Sequence, residues 1–223
     1  AMKKLGADVS LMGKVGDDEF GRMILGILDQ YKAMDGMITD KESSTSYSVV
    51  LAIPGIDRIF LHNPGANNTF TKEDLDFDLI KEAGLFHFGY PTIMQKMYED
   101  GGDELAGIFK AVKECGCMTS LDMSAVDENT KAGKADWYGI LEKTLPYVDF
   151  FLPSVEEICY MLDKEKYDAL QKRANGGDIT EILSIEEDVV PLAEKILDMG
   201  CKFAMVKCGA KGFYYQTKDV AAF

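Results

Sequence analysis

The segment VDFFLPSVEEICYML, Val148–Leu162, holds a strand, a break and a helix start in one short run. Val148–Leu152 is apolar and rich in β-formers, and Pro153 stops it. Ser154 then offers a hydroxyl N-cap to a helix over Val155–Leu162, whose first turn carries Glu156 and Glu157. The same alternation continues outward. Upstream lie a buried-strand candidate at Leu85–Phe88 ending at Gly89, a helix at Leu105–Glu114, a strand at Met118–Leu121 and a helix at Trp137–Leu145. Downstream come a helix at Ile185–Met199, a strand at Lys202–Val206 and a turn at Gly209–Gly212. Strands and helices in strict alternation specify a parallel sheet covered on both faces by helices, a three-layer αβα, Rossmann-like architecture. Asp163–Thr180, rich in Lys, Asp and Asn-Gly-Gly, reads as a surface insertion.

The first third of the chain has a different rhythm. Val9–Met12 is a short apolar run closed by Gly13, and a helix over Phe20–Met34 follows the acidic start Asp17-Asp18-Glu19. Ser46–Ile53 and Arg58–His62 read as two strands joined by Pro54-Gly55-Ile56-Asp57, with Tyr47, Val49 and Leu51 on one face. Antiparallel strands of this kind project or form a small sheet of their own. The expected organisation is an α/β body over 1–43 and 63–223 with a β-lid at 44–62. Thr71-x-x-Asp74 opens an amphipathic helix to Ala83 with a capping-box-like start.

Composition narrows the function classes. The chain has 223 residues, 47% of them hydrophobic and 28% charged, as an ordinary globular protein has. Lys plus Arg number 24 against 38 for Asp plus Glu, a net charge of −14 that repels nucleic acid and anionic membranes. The five cysteines are an odd number at irregular spacing, and neither His62 nor His87 flanks a cysteine pair, so neither a disulfide framework nor a zinc site is supported. Buried reduced thiols, no apolar leader at the start of this sequence and no run of 18 apolar residues lead us to expect a cytoplasmic protein.

Ligands of an open α/β sheet gather at the carboxyl ends of its strands. Four such ends carry suggestive residues: GKVGDDEFG (Gly13–Gly21), Gly89-Tyr90-Pro91, Pro153-Ser154-Val155-Glu156-Glu157, and Lys207-Cys208-Gly209-Ala210-Lys211-Gly212. Neither GxxxxGK[ST] nor GxGxxG occurs. Gly209-x-x-Gly212 offers backbone amides, with Lys207 or Lys211 as cations, which is what a nucleotide phosphate needs. No Ser/His/Asp set assembles, and His87 reads as a core histidine.

These residues, in this order, resemble the ribokinase-like (PfkB) carbohydrate kinase family. LGADVSLMGKVGDDEFG resembles the tail of its first signature; the lid hairpin follows, then Gly65-Ala66-Asn67 at the family's GAN turn. Asp122-Met123-Ser124 stands where many members have D-x-N, Ser154–Glu157 stands at N-x-x-E, and VKCGAKG (Val206–Gly212) resembles the segment lining the ATP site. The resemblance implies transfer of the γ-phosphoryl group of ATP, with Mg2+, to a hydroxyl of a small carbohydrate. It implies Ser154, Lys207, Gly209 and Gly212 at the nucleotide, Tyr47, Asn67, Gly89 and Tyr90 at the sugar, and Glu157 acting on the metal through water. The sequence departs from the family at Ser154, where Asn is usual, and at Val126, where D-x-N-x-R sugar kinases have Arg. It contains no G-A-G-D string and no preceding sugar-holding Gly-Gly-x-x-Asn segment. The resemblance is thus to the family's central portion, with the catalytic base absent from it and the segment expected to be inactive alone. An apolar lid face invites pairing with a second copy, so a homodimer through the lid is expected. A catalytically inactive sugar- or nucleoside-binding module of the same fold is the alternative reading, and a non-kinase doubly wound protein is a third. Ribose, fructose, 2-keto-3-deoxygluconate and nucleosides all stay open as substrates, and Lys207 leans toward the kinases of acidic sugars and fructose.

Overall fold

A computed structural model describes residues 1–54 and 59–218. The chain forms two compact units, the first made of Ala1–Leu79 with Ile93–Lys96, the second of Ile80–Thr92 with Met97–Phe223.

In the first unit β1 (Met12–Gly16) pairs in parallel with β2 (Gly36–Asp40), and α1 (Glu19–Gln30) connects them. The strand read from sequence at Val9–Met12 begins where that reading ends, and Gly13 sits inside the ladder opposite Met37. A glycine has the full backbone donor and acceptor, so it ends a hydrophobic pattern without ending a strand. The stretch β2 was not anticipated, because Met37 and Ile38 are too short an apolar run to signal it. β3 (Tyr47–Leu51) and β4 (Ile59–Asn63) pair antiparallel as a separate two-stranded sheet. Of the turn read between them, Gly55–Asp57 lies outside the described residues, as does Arg58. The capping box at Thr71 exists, with the Thr71 amide donating to Asp74 Oδ2 at 2.8 Å. Its helix is corrected: a single turn at Lys72–Asp74, extended backbone at Leu75, then α2 (Phe77–Glu82). Asp76 Oδ1 accepts from the amides of Asp78 and Leu79 and restarts the helix.

The second unit is built on one five-stranded sheet. Its order is β5 (Leu85–Phe88), β6 (Met118–Leu121), β7 (Phe150–Phe151), β8 (Phe203–Lys207) and β9 (Phe213–Thr217), with β5 to β8 parallel and β9 antiparallel. The connecting helices are α3 (Gln95–Tyr98), of which only Met97 and Tyr98 belong to this unit, α4 (Asp103–Glu114), α5 (Trp137–Thr144), α6 (Val155–Leu162), α7 (Lys164–Ala174), α8 (Ile179–Ile182) and α9 (Val190–Asp198). Because the order climbs without reversal, right-handed crossovers lay these helices against one face; the parallel-rich α/β sheet read from sequence is present, and among the described residues of this unit its helices form one layer rather than two. On that face Thr119, Leu121, Phe151, Ala204 and Val206 are buried, and Phe109 of α4 meets Phe86 and Phe88 edge-on at 6.1 Å. On the other, Leu85, Met118, Phe213 and Tyr215 are exposed. The buried strand expected at Leu85–Phe88 is therefore buried only at Phe88, and His87 is not a core histidine. It is exposed, with Nδ1 3.0 Å from Ser120 Oγ.

Asp163–Thr180 lies mostly at the surface, as read, and is largely helical. Lys, Glu, Gln and Ala make Lys164–Ala174 a good helix despite burying only Leu170, and the Asp163 carboxylate caps it through the Lys166 amide at 3.2 Å. The helix read over Ile185–Met199 opens with a wide π-type turn at Ile185–Val189, and Pro191 sets the start of α9. All five cysteines are free thiols, four of them buried, and burial pushes the Cys159 and Cys201 thiols up to about 12.

The amino ends of β6, β7 and β8 are tied by Asp149, which is 3% exposed. Its Oδ2 accepts from Lys113 Nζ at 2.7 Å and the Thr119 amide at 2.8 Å, and Oδ1 meets Lys202 Nζ at 2.9 Å. Burial pushes this carboxyl up, and the hydrogen bonds from Lys113, Lys202 and Thr119 outweigh it and hold the group below the usual aspartate value.

Candidate active site

The opposite, carboxyl ends of the same strands gather the residues with chemistry. Gly89 and Tyr90 follow β5, and Asp122 follows β6 with its amide on the Phe88 carbonyl at 2.9 Å. The two loops touch: Asp122 Cβ lies 3.7 Å from where a side chain on Gly89 would begin, and Thr92 Oγ1 hydrogen-bonds Ser124 Oγ. Ser154 follows β7 and bridges to Lys207 at the end of β8, whose amide donates to the Pro153 carbonyl at 2.9 Å.

Ser154 caps α6 as its sequence suggests. Its Oγ accepts from the Glu157 amide at 3.3 Å, and Glu157 Oε2 reaches back to accept from the Ser154 amide at 2.7 Å. Glu157 is thereby fixed at the start of α6. Burial pushes its carboxyl above the usual glutamate value, against the Ser154 amide and the positive charge of Lys207, while Asp122 adds to the rise. Lys207 Nζ forms a 2.7 Å ion pair with Asp122 Oδ1. Sequence reasoning left Asp122 out of the candidate site, and the D-x-N resemblance was the signal that could have included it. Among the described residues no three His, Cys, Asp or Glu side chains converge as metal ligands.

Gly209 and Gly212 bound a single turn at Gly209–Lys211, closed by the Cys208 amide on the Gly212 carbonyl at 2.8 Å. Both have positive φ, +58° and +92°. Gly209 packs on Thr180, whereas the position of a side chain on Gly212 opens on free space.

Tyr47 and Asn67 belong to the first unit. Tyr47 is exposed on β3, with its ring 5.4 Å from that of Phe20. Asn67 lies in the turn Gly65–Thr69, while its neighbour Asn68 accepts from the Gln95 amide at 3.1 Å. GKVGDDEFG has a structural role here: Asp18 caps α1 through the Gly21 amide at 2.8 Å and accepts from the Thr45 amide and hydroxyl at 2.7 and 2.6 Å. Thr45 Oγ1 in turn accepts from the Gly16 amide at 2.9 Å. The motif thus anchors the residue two positions before the lid hairpin. Gly16 and Gly21 have no room for a Cβ, with backbone atoms 2.5 and 2.1 Å from where it would sit.

Over 222 residues the chain is 28% identical to Fructokinase-2 of Zea mays, covering 98% of this chain and 59% of that protein. Over 122 residues it is 36% identical to the probable chloroplastic fructokinase-6 of Arabidopsis thaliana, covering 53% of this chain and 31% of that one. The chain thus spans about 59% of a relative it matches end to end. Its fold is similar to the crystal structure of fructokinase with bound ATP from Xylella fastidiosa, at a TM-score of 0.71 and 18% identity over 97% of this chain and 60% of that one. It is also similar to ribokinase from Thermotoga maritima, at 0.59 and 20% over 93% and 56%. Residues 1–223 match the family described as pfkB family carbohydrate kinase, and the chain belongs to that family.

Proposed function

We propose that the protein is an ATP-dependent sugar kinase that transfers the γ-phosphoryl group to a hydroxyl of a small carbohydrate. The observation that carries this reading is the convergence of Lys207, Ser154 and Glu157 at the carboxyl ends of adjacent parallel strands, in a chain of this family. Phosphoryl transfer needs positioned cations and amides more than covalent chemistry. In this reading Lys207 and the amides of Gly209 and Ala210 receive the phosphates, while the Lys211 and Gly212 amides close the turn on Cys208 and Gly209, and Ser154 sits at the nucleotide end of α6. Glu157 holds the water shell of Mg2+, which when bound supplies charge neutralisation on the transferring group. Within the second unit, Gly89 and Tyr90 are assigned to the sugar. The carboxylate that takes the hydroxyl proton is assigned to none of the residues described. Relatives that are fructokinases make fructose the first sugar to test.

Glu157→Gln tests the metal assignment with a control built in. Glutamine can still accept from the Ser154 amide, so the cap survives. A carboxyl whose folded pKa is raised contributes stability only below its unfolded pKa and loses it as pH rises through the folded value. The variant should therefore melt no lower than wild type at pH 7–8 while, within the full-length enzyme, needing more Mg2+ for half-maximal activity and showing a lower kcat. Glu156→Gln, about 100° around the helix, should leave both unchanged. Identical behaviour of the two variants would remove Glu157 from the metal.

The lid supports a second part of the proposal, a homodimer. Val49, Val50, Phe60 and Leu61 are each 46% or more exposed on β3 and β4, an apolar surface that association would cover. Light scattering at micromolar concentration should give twice 24.7 kDa, and Phe60→Asp should return the monomer mass. A monomeric wild type would remove this assignment.

A further inference from the structure

We propose that Asp122 is the positioning residue for Lys207: an internal counter-ion that holds the ammonium over the strand ends until the phosphates of a nucleotide take it over. The inference rests on the kinase reading above and adds a residue to it. Asp122 and Lys207 are 85 residues apart in sequence and end β6 and β8, two strands separated by β7. The ammonium therefore reaches across the end of β7, where Ser154 begins α6.

The two partners are held unequally. Asp122 is fixed: its amide is on the Phe88 carbonyl, and Oδ1 also accepts from the Met123 amide at 2.9 Å. The Lys207 side chain is 41% exposed against 17% for Asp122, so the lysine is the partner that water and solutes can reach. A half-open ion pair of this kind contributes little to stability, and a polyphosphate with several negative charges competes for the ammonium on favourable terms. A free lysine loses much rotamer freedom when it binds an anion, and a lysine already held in place loses less. Asp122 therefore supplies preorganisation. The third charge in the cluster, Glu157, feels both partners, Lys207 favouring its ionised form and Asp122 opposing it. Transfer of the ammonium from Asp122 to a phosphate oxygen moves no proton and breaks no covalent bond.

Calorimetric titration with ATP of wild type, Lys207→Met, Asp122→Asn and the double variant tests the arrangement. Lys207→Met should weaken ATP about tenfold and Asp122→Asn about threefold, and the double variant should be no worse than Lys207→Met, because Asp122 acts only through the lysine. If Asp122→Asn does not fold, Asp122→Ser, which keeps an acceptor for the Met123 amide, takes its place in the cycle. Tighter ATP binding on removal of Asp122 in both backgrounds would make it a simple repulsive charge and overturn the proposal. A lower Tm with an unchanged dissociation constant would make it a merely structural residue, with the same consequence. A wild type that binds ATP and a Lys207→Met variant that binds it equally well would overturn this proposal alone. A wild type that binds no ATP would overturn the kinase reading and the proposal with it.

Discussion

Asp149→Ala should lower the stability of the second unit by about 3 kcal/mol, near the lower end of the range for breaking a buried ion pair. The position in that range follows from exposure. Asp149 is 3% exposed, so the loss strands the Thr119 amide in the interior, while the Thr119 hydroxyl keeps the Tyr147 carbonyl at 2.7 Å. The two lysines are better placed, with side chains 30% and 45% exposed, and can turn to water. For a chain of this size the loss corresponds to a fall in Tm of roughly 6–12 °C. The pH dependence has a definite sign. A carboxyl held below its unfolded pKa stabilises the fold above that value and ceases to do so as pH falls through the folded one. Wild type should therefore lose Tm more steeply than Asp149→Asn between about pH 5 and pH 2. Scanning calorimetry of the three proteins across that range measures both effects, and a Tm within 2 °C of wild type for Asp149→Ala would overturn the assignment.

None of that network was legible in the sequence. Asp149 stood inside an apolar run, and nothing in its neighbours announced Lys113, Thr119 or Lys202, which fold brings to it from other elements. Strands and helices with strong local periodicity were legible: Val155–Leu162 and Met118–Leu121 appear with the limits that cap and pattern imply. Elements fixed by pairing rather than composition were not. β2 is a strand because β1 presents an edge to it, and its own sequence is weakly patterned. The helix α7 was missed for the opposite reason, since a mostly polar helix has little hydrophobic period to detect. The site followed the same division. Ser154 and Glu157 were visible as a local cap, whereas the Asp122–Lys207 pair required the strand order that sets the ends of β6 and β8 on either side of β7.

Gly209 is where local geometry and proposed chemistry overlap most. Its φ of +58° is left-handed, and a Cβ there would lie 2.5 Å from Thr180 Oγ1 and 2.9 Å from Thr180 Cβ. Thr180 cannot yield easily, being buried on α8 with its amide held by Asp178 Oδ1 at 2.7 Å. Gly209→Val should combine backbone strain with overpacking, a loss of roughly 2–5 kcal/mol and the larger stability effect of the two. Gly212→Ala provides the comparison within the same turn. Its φ of +92° carries strain, but nothing lies within 4 Å of the added carbon, so its loss should be only about 1–3 kcal/mol. If the loop receives phosphates, displacement of Gly209 against α8 should also weaken ATP by at least about tenfold, measured by calorimetry well below the melting temperature, where the variant is folded. A lowered Tm with wild-type ATP affinity would leave Gly209 as a turn glycine packed on Thr180 and take the Lys207–Gly212 loop out of the nucleotide site.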